Sequence, residues 1–596
     1  RTGSPKWLEK TMKLDGNDLW EAKLSFKNIG LYEFTIKAWI DVFKTWQNHL
    51  IKKREAGQSI DIMMKVGVKL IHDSIVHASD EQKKDLELWY NKLNGAKAEK
   101  VLDLAISEEL CQLINSCIDH NKVTVYEKNM PLSIERKQAL FCAWYELFPR
   151  SWSPEAGKHG TFKDCERLLP EIARMGFDII YFPPIHPIGV DKRKGKNNAI
   201  ICEASDPGSP WAVGNKQGGH KDIHPELGTL QDFKHFVKQA GEYGMEIALD
   251  IAFQCSPNHP YIKQHPDWFL WRPDGTIQYA ENPPKKYEDI VPINFETKDW
   301  KGLYKELKSV FLYWIKQGVK VFRVDNPHTK PFHFWEVTFG DIKKKYPDVL
   351  FLAEAFTRPK IMYRLAKLGF TQSYTYFTWR NTPEEFVEYM EELTTEPVKS
   401  FFQPNFWPNT PDILPESLEH KGRSAFITRF ILASTLSTSY GIYGPAFELL
   451  ENEPFPGREE YLDNEKYEIK NWDWDKPDNI KDIISTVNRL RRENPALQDR
   501  NNISFIPSTN AEFLVSVKAT DDLSNIIVTV VNFDPDHTQS GFITLDLESL
   551  GINDGEPYIM FDLLHDKKYT WTGAKNYVEL GPEGAIAHIF RLHKKY

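Results

Sequence analysis

Cysteine is scarce in this chain. Six of 596 residues are Cys (Cys111, Cys117, Cys142, Cys165, Cys202 and Cys255), with no CxxC pair and no Cys/His spacing of a zinc site. Scattered thiols without a pairing pattern argue against a disulfide scaffold and for a reducing, cytoplasmic setting. No apolar run is long enough to cross a bilayer, and no signal peptide is visible. The first residue is Arg rather than Met, which leaves the natural start open. Positive charge is not in excess either: 75 Lys and Arg stand against 84 Asp and Glu, a formal net charge of −9. That balance argues against nucleic-acid and anionic-membrane partners. Internal repeats and low-complexity tracts are absent from the sequence. Aromatics are what is plentiful, at 13% with 18 Trp. Flat apolar rings suit the faces of sugars, although any one Trp is more simply a core residue.

The length suggests roughly three or four domains. Residues 18–41 alternate apolar and polar side chains through WEAKLSF and YEFTIKAWI, about a turn at Asn28–Gly30. This pattern predicts a β-hairpin of a sandwich-like module. From about 44 to 119 the period is helical, with Leu86, Trp89, Tyr90 and Leu93 on one face. KVTVYE (122–127) then alternates again, so residues 1–137 read as a β-sandwich module carrying a helical insertion. From Phe141 short apolar strands alternate with amphipathic helices, the first being FKDCERLLPEIARMG, ending at Gly176. That alternation predicts a (β/α)8 barrel over 138–503. The Pro-rich stretch 254–296 is too long for a βα loop and reads as a small inserted subdomain after the third strand. FLVSVKAT, NIIVTVVNF and GFITLDL place an antiparallel β domain at 504–596.

Three carboxylates close or follow separate apolar stretches. Asp325 ends GVKVFRVDN, Glu354 ends VLFLAEAF, and Asp412 lies in FWPNTPDIL. A charge placed directly after a buried strand costs several kcal/mol unless something uses it, and barrel chemistry is built at those strand ends. Strand alternation puts Val321, Arg323 and Asp325 on the inner face and Phe322 and Val324 toward the helices. Arg323 would hold Asp325 ionised and oriented, as a nucleophile requires. Glu354, flanked by Ala353 and Ala355, suits a general acid whose pKa is raised by apolar surroundings. Asp412 alone is a weak signal, since Asp in a Pro/Asn-rich turn is usually a local cap. Two opposed carboxylates plus a third fit glycosyl transfer through an oxocarbenium-like state.

At these residues the chain resembles the α-amylase clan of glycoside hydrolases and transglycosidases over about residues 138–596. The resemblance implies a nucleophile at Asp325, an acid/base at Glu354, a transition-state stabiliser at Asp412 and a nucleophile partner at Arg323. The departures narrow it further. Amylases usually end the third strand D-x-x-x-N-H, where this chain has DIAFQCSPNHP with Gln254, and Pro411 stands where His usually precedes the late Asp. The strings YELFPRSW, HGTF, YFPPIHPIG, KGKNN, VDNPHTKPFHFW and PNTPDILPE are similar to the α-1,4-glucan:maltose-1-phosphate maltosyltransferase subfamily.

That resemblance implies retaining transfer of maltosyl from α-maltose 1-phosphate to the non-reducing 4-hydroxyl of an α-1,4-glucan, with phosphate released. It implies a phosphate pocket of Asn282, Lys285, Tyr287 and Asn326, with Asp289 as a further donor-site contact. Lys194, Gln254, Lys466 and Tyr467 would meet the second glucose. Read without the resemblance, the loop around Lys194 is a flexible surface turn and EKYE at 465–468 is exposed helix charge. No cofactor or metal is expected, since the carboxylates lack calcium-loop spacing. A homodimer is implied by the family. An amylase-like hydrolase or glucanotransferase, and a barrel that only binds glucan, stand as alternatives.

Overall fold

The computed structural model describes residues 2–594, apart from the side chain of Lys285. It divides into two units, Arg1–Ile134 and Glu135–Tyr596. Among the described residues no helix is long and apolar enough to cross a membrane.

In the first unit five α-helices run from Val42–Glu55 to Glu108–Asn115. Their starts are written in the sequence. Asp41 and Ser107 cap the first and last, and Ser79 forms a reciprocal capping box with Gln82. Their apolar faces close on one cluster that includes Trp46, Leu50, Leu86, Trp89 and Leu110. The β part is three two-stranded antiparallel sheets. Here the pairing departs from the predicted hairpin over 18–41. Gly30–Phe34 pairs with Met130–Ile134 and Lys37–Ala38 with Thr124–Val125, so the two flanks of the helical insertion zip together. Trp20–Glu21 pairs instead with Lys13–Leu14. Alternation identifies a strand but not its partner, and the long-range partner won here.

The second unit is built on parallel strands β1 (Cys142–Glu146), β2 (Ile179–Phe182), β3 (Glu246–Ile251), β4 (Val321–Val324), β5 (Leu350–Ala353) and β6 (Gln372–Ser373). A last strand, Ser439–Tyr443, pairs with β1. Residues 404–406 occupy the remaining place, bridged in parallel to Ser373 on one side and to Tyr440 on the other, which closes a (β/α)8 barrel. The helix predicted from FKDCERLLPEIARMG is split into Phe162–Glu166 and Leu169–Arg174. Pro170 lacks an N–H and sits in the first turn of the second piece, where that loss does least harm.

Side-chain parity is clean. Cys142, Trp144, Ile179, Tyr181, Ala248, Val321, Leu350, Leu352 and Trp407 fill the barrel interior. Phe182, Leu249, Phe322, Val324, Phe351 and Ala353 face the surrounding helices. After β3 the chain runs through 254–296 in short pairings. Gln254–Cys255 pairs with Val291–Pro292, and a hairpin pairs Ala280–Asn282 with Lys285–Tyr287. The C-terminal part holds a six-stranded antiparallel sheet, with strands from Ile503–Phe505 to Ala587–Lys594, and a two-stranded one pairing Gln539–Thr544 with Lys575–Leu580, sharing an apolar cluster.

Candidate active site

The inward parity of β3, β4 and β5 carries past the strand ends. Asp325 N–H still donates to Ile251 O at 3.0 Å, and Glu354 N–H to Val324 O at 3.1 Å, so both carboxyls start from a backbone fixed by the ladder. Arg323, aligned in register with Asp250, lies at the centre. Its Nη1 donates to Asp325 Oδ1 at 2.8 Å and Asp250 Oδ2 at 2.9 Å, and its Nη2 lies 3.2 Å from Glu354 Oε1. One guanidinium thus holds three carboxylates, a use of its planar fork that an ammonium cannot copy. The Tyr181 and Tyr374 rings flank it, each 5.9 Å away.

The two strand-end carboxyls are driven apart in acidity. Burial disfavours the charge on Asp325, but Arg323, Lys330 and Lys466 outweigh it and hold the carboxyl below the usual Asp value. Glu354 is pushed up to about 7, by burial first and by the Asp325 charge, against the pull of Arg323. Its neighbours differ from those the sequence suggested: Ala353 and Ala355 pack in the helix-facing core, while the carboxyl meets Arg323 and the backbone N–H of Asn326 (3.0 Å to Oε2).

Asp412 is half-buried, on a turn closed by paired hydrogen bonds between Thr410 and Ile413. The buried Asn409 amide ties that turn to Tyr443 O and Tyr461 OH, and Asn464 Nδ2 donates to Pro411 O. Asp412 Oδ1 accepts from Lys466 Nζ at 2.8 Å, and Lys466 also lies over the Trp211 ring at 4.9 Å.

The remaining residues singled out by the sequence divide. Lys194 is buried, not on a loose surface turn, and with Lys466 it moderates the upward shift that burial imposes on Asp289. Segment 465–468 is no exposed helix: Glu465 and Tyr467 are buried, and Tyr467 lies in the combined field of Lys466, Asp412 and Asp289. Gln254 Nε2 donates to Trp211 O at 3.3 Å. Asn326 Nδ2 donates to Asp325 Oδ2 at 3.3 Å. Asn282 and Tyr287 sit on opposite strands of the small hairpin, and neither is hydrogen-bonded to Asn326 or Asp325. The Lys285 side chain lies outside the described residues.

Two further residues of the site were given no role by the sequence reading. Asp250 Oδ2 accepts from Tyr181 OH (2.6 Å) and Trp211 Nε1 (3.1 Å) besides Arg323, and burial raises its pKa to about 6. An Asp within the apolar run MEIALDIAF was the available hint. Glu146, at the end of β1, is fully buried, with Oε2 unpartnered; burial holds its pKa well above the usual range. Among the described residues two clusters have donor sets that could hold a metal, His159/His224/Glu226 and Asp562/His565/His588, and neither includes a carboxylate of this site.

Residues 1–136 match the family model described as "Alpha-1,4-glucan:maltose-1-phosphate maltosyltransferase, domain N/S", and residues 505–592 match "GLGE, C-terminal". A curated protein of Chlorobaculum tepidum called alpha-1,4-glucan:maltose-1-phosphate maltosyltransferase is 51% identical over 599 residues, covering 100% of this chain and 89% of that protein. A protein of the same name from Methylacidiphilum infernorum is 53% identical over 590 residues, covering 98% and 88%. Among solved structures, a maltogenic alpha-amylase from Thermotoga neapolitana superposes with TM-score 0.60 at 19% identity, covering 77% of this chain and 99% of the other. An alpha-amylase from Lactobacillus plantarum gives 0.59 at 20% identity, covering 76% and 100%. The structural likeness establishes the amylase-type fold. The full-length identity goes further: this chain belongs to the α-1,4-glucan:maltose-1-phosphate maltosyltransferases, a family of glycosyltransferases.

Proposed function

We propose that the protein lengthens an α-1,4-glucan by transferring maltosyl from α-maltose 1-phosphate to a non-reducing 4-hydroxyl, with net retention and release of inorganic phosphate. Asp325 attacks the anomeric carbon as the C1–O bond to phosphate breaks, giving a β-maltosyl ester on the enzyme. The acceptor hydroxyl then attacks the same carbon, its proton passes to Glu354, and the ester bond to Asp325 breaks. The observation that carries this reading is Arg323, with Asp325 on one arm and Glu354 on the other. Two carboxyls within one guanidinium's span suit the close spacing, about 5–5.5 Å, that double displacement needs. Their opposed acidities suit the two roles: an ionised nucleophile and a group near 7 that can hold or accept a proton. Asp412, freed from Lys466 by an arriving sugar, would bind hydroxyls in the transition state.

Phosphate is already a good leaving group, so Glu354 works mainly as the base of the second step. The donor would lie along Lys194, Gln254, Asp289, Lys466 and Tyr467, with its phosphate toward Asn282, Lys285, Tyr287 and Asn326. Asp289 keeps one buried oxygen without a partner, which a sugar hydroxyl would satisfy. A homodimer and a cytoplasmic location belong to the same reading, the latter supported by six free cysteines. The test is phosphate release from maltose 1-phosphate with glycogen as acceptor, run beside glucose 1-phosphate. Phosphate with matching glucan growth, from the disaccharide donor alone, is expected. Free maltose without elongation, or no phosphate, would overturn it.

A further inference from the structure

The turn that follows Asp325 is held by a buried cation to which the reaction above gives no task. Asn326 sits at φ 42°, ψ 52°, a left-handed conformation that Asn tolerates better than most residues but that still costs energy without a glycine. In that conformation its N–H reaches Glu354 and its side-chain amide reaches Asp325, so one strained residue links both carboxyls. Its carbonyl accepts from Thr329 N–H (3.2 Å), Thr329 Oγ1 (2.8 Å) and Lys330 Nζ (3.1 Å), and Lys330 Nζ also lies 3.4 Å from Asp325 O. Trp335 Nε1 braces the next carbonyl, Pro327 O, at 2.9 Å.

Lys330 is 8% exposed, and the hydrogen bonds of its ammonium go to backbone carbonyls. A neutral donor could hold two carbonyls without the desolvation penalty of a buried ammonium. What the charge adds is its field on the carboxyls nearby. The groups facing Lys330 are Asp325, Glu354, Arg323 and Asp250; Lys466 also faces Asp325, and His328 lies beside both Lys330 and Asp325.

We propose that Lys330 is a positioning residue for glycosyl transfer: its buried ammonium, bonded to the carbonyls of Asn326 and Asp325, locks the turn that orients Asp325 and Glu354 and sets a positive charge beside them. The inference rests on Asp325 and Glu354 being the reacting groups.

The test compares Lys330→Met, Lys330→Gln and Lys330→Arg with wild type in phosphate release from maltose 1-phosphate at saturating glycogen, from pH 5 to 9. Lys330→Met should lower kcat by about 10–100-fold with KM changed less than about threefold, because the lost effect acts on the reacting groups rather than on donor binding. The acid limb of kcat should move up by about half a unit or more in Lys330→Met and Lys330→Gln, since a missing cation raises a neighbouring carboxyl. Lys330→Arg should return the limb to its wild-type position. The donor's own phosphate titrates near pH 6 in every variant and drops out of the comparison. An unmoved limb in the neutral variants, or a raised KM with kcat intact, overturns the proposal. So does failure of both neutral variants to fold while Lys330→Arg folds, which would make the cation purely structural. No phosphate from the wild-type enzyme would instead refute the proposed function.

Discussion

Replacing Glu354 by Gln removes one proton equilibrium from a buried site while keeping the shape of the side chain. The folded protein holds Glu354 at about 7, against an ordinary value of 4.5. Ionising it in place is therefore harder than ionising it in the unfolded chain. The difference of about 2.5 units corresponds to roughly 3 kcal/mol. The sign follows from a raised folded-state pKa: the contribution is fully present below about pH 4.5 and is lost as pH rises through about 7. Gln mimics the protonated form at every pH. It can accept from Asn326 N–H or from Arg323, as the neutral acid can. Glu354→Gln should thus match wild type in stability near pH 5 and exceed it by up to about 3 kcal/mol at pH 8, an increase of about 3 °C in melting temperature for a large cooperative unit. Other shifted groups, Asp250 among them, are common to both proteins and cancel to first order. Scanning calorimetry at pH 5, 6.5 and 8, at one scan rate, reads this directly. The same variant should lose most phosphate release, because no base remains for the acceptor. A stability difference independent of pH, or a variant less stable than wild type at pH 8, would refute the account of why this acidity is raised.

Asp325→Asn should fold normally yet lose about 10⁴-fold or more in turnover, checked by phosphate release; native turnover would remove the nucleophile assignment. Glu354→Ala should slow breakdown of the maltosyl-enzyme more than its formation, seen as ester accumulating with a 2-deoxy-2-fluoro donor, and equal losses in both steps would argue against a mainly basic role. Asp250→Asn leaves a buried guanidinium short of one counter-charge and should cost about 3–5 kcal/mol in denaturant unfolding. Gly441→Ala would place a Cβ 2.3 Å from the Trp407 indole; displacing that ring, which stacks on Tyr374, should cost about 1–3 kcal/mol and lower kcat together with the melting temperature.

Reading the sequence was most effective where the rule was local. Strand parity placed Arg323 and Asp325 inward and Phe322 and Val324 outward, and the structure keeps that division. It failed where a partner lies far along the chain. YEFTIKAWI was legible as strand, but the pairing of Gly30–Phe34 with Met130–Ile134 spans the whole helical insertion. It also failed where a polar group is buried by distant segments. Lys194 and the 465–468 segment look like surface charge because nothing adjacent in sequence covers them. Pro170 shows a smaller miss: the helical period ran through it, while its missing N–H split the helix.

The amino-acid order alone therefore settles the alternation of strands and helices, the inward set of side chains and the strand ends at which carboxyls stand, because each follows from periodicities of two or about 3.6 residues. Only the closed barrel decides that Arg323 reaches three carboxylates on three strands, that Glu354 is shielded enough to hold its proton near neutrality, and that Lys330 lies beneath the Asn326 turn. Acidity and reach depend on what surrounds a group in space, and those neighbours are brought in by folding from residues far apart in the chain.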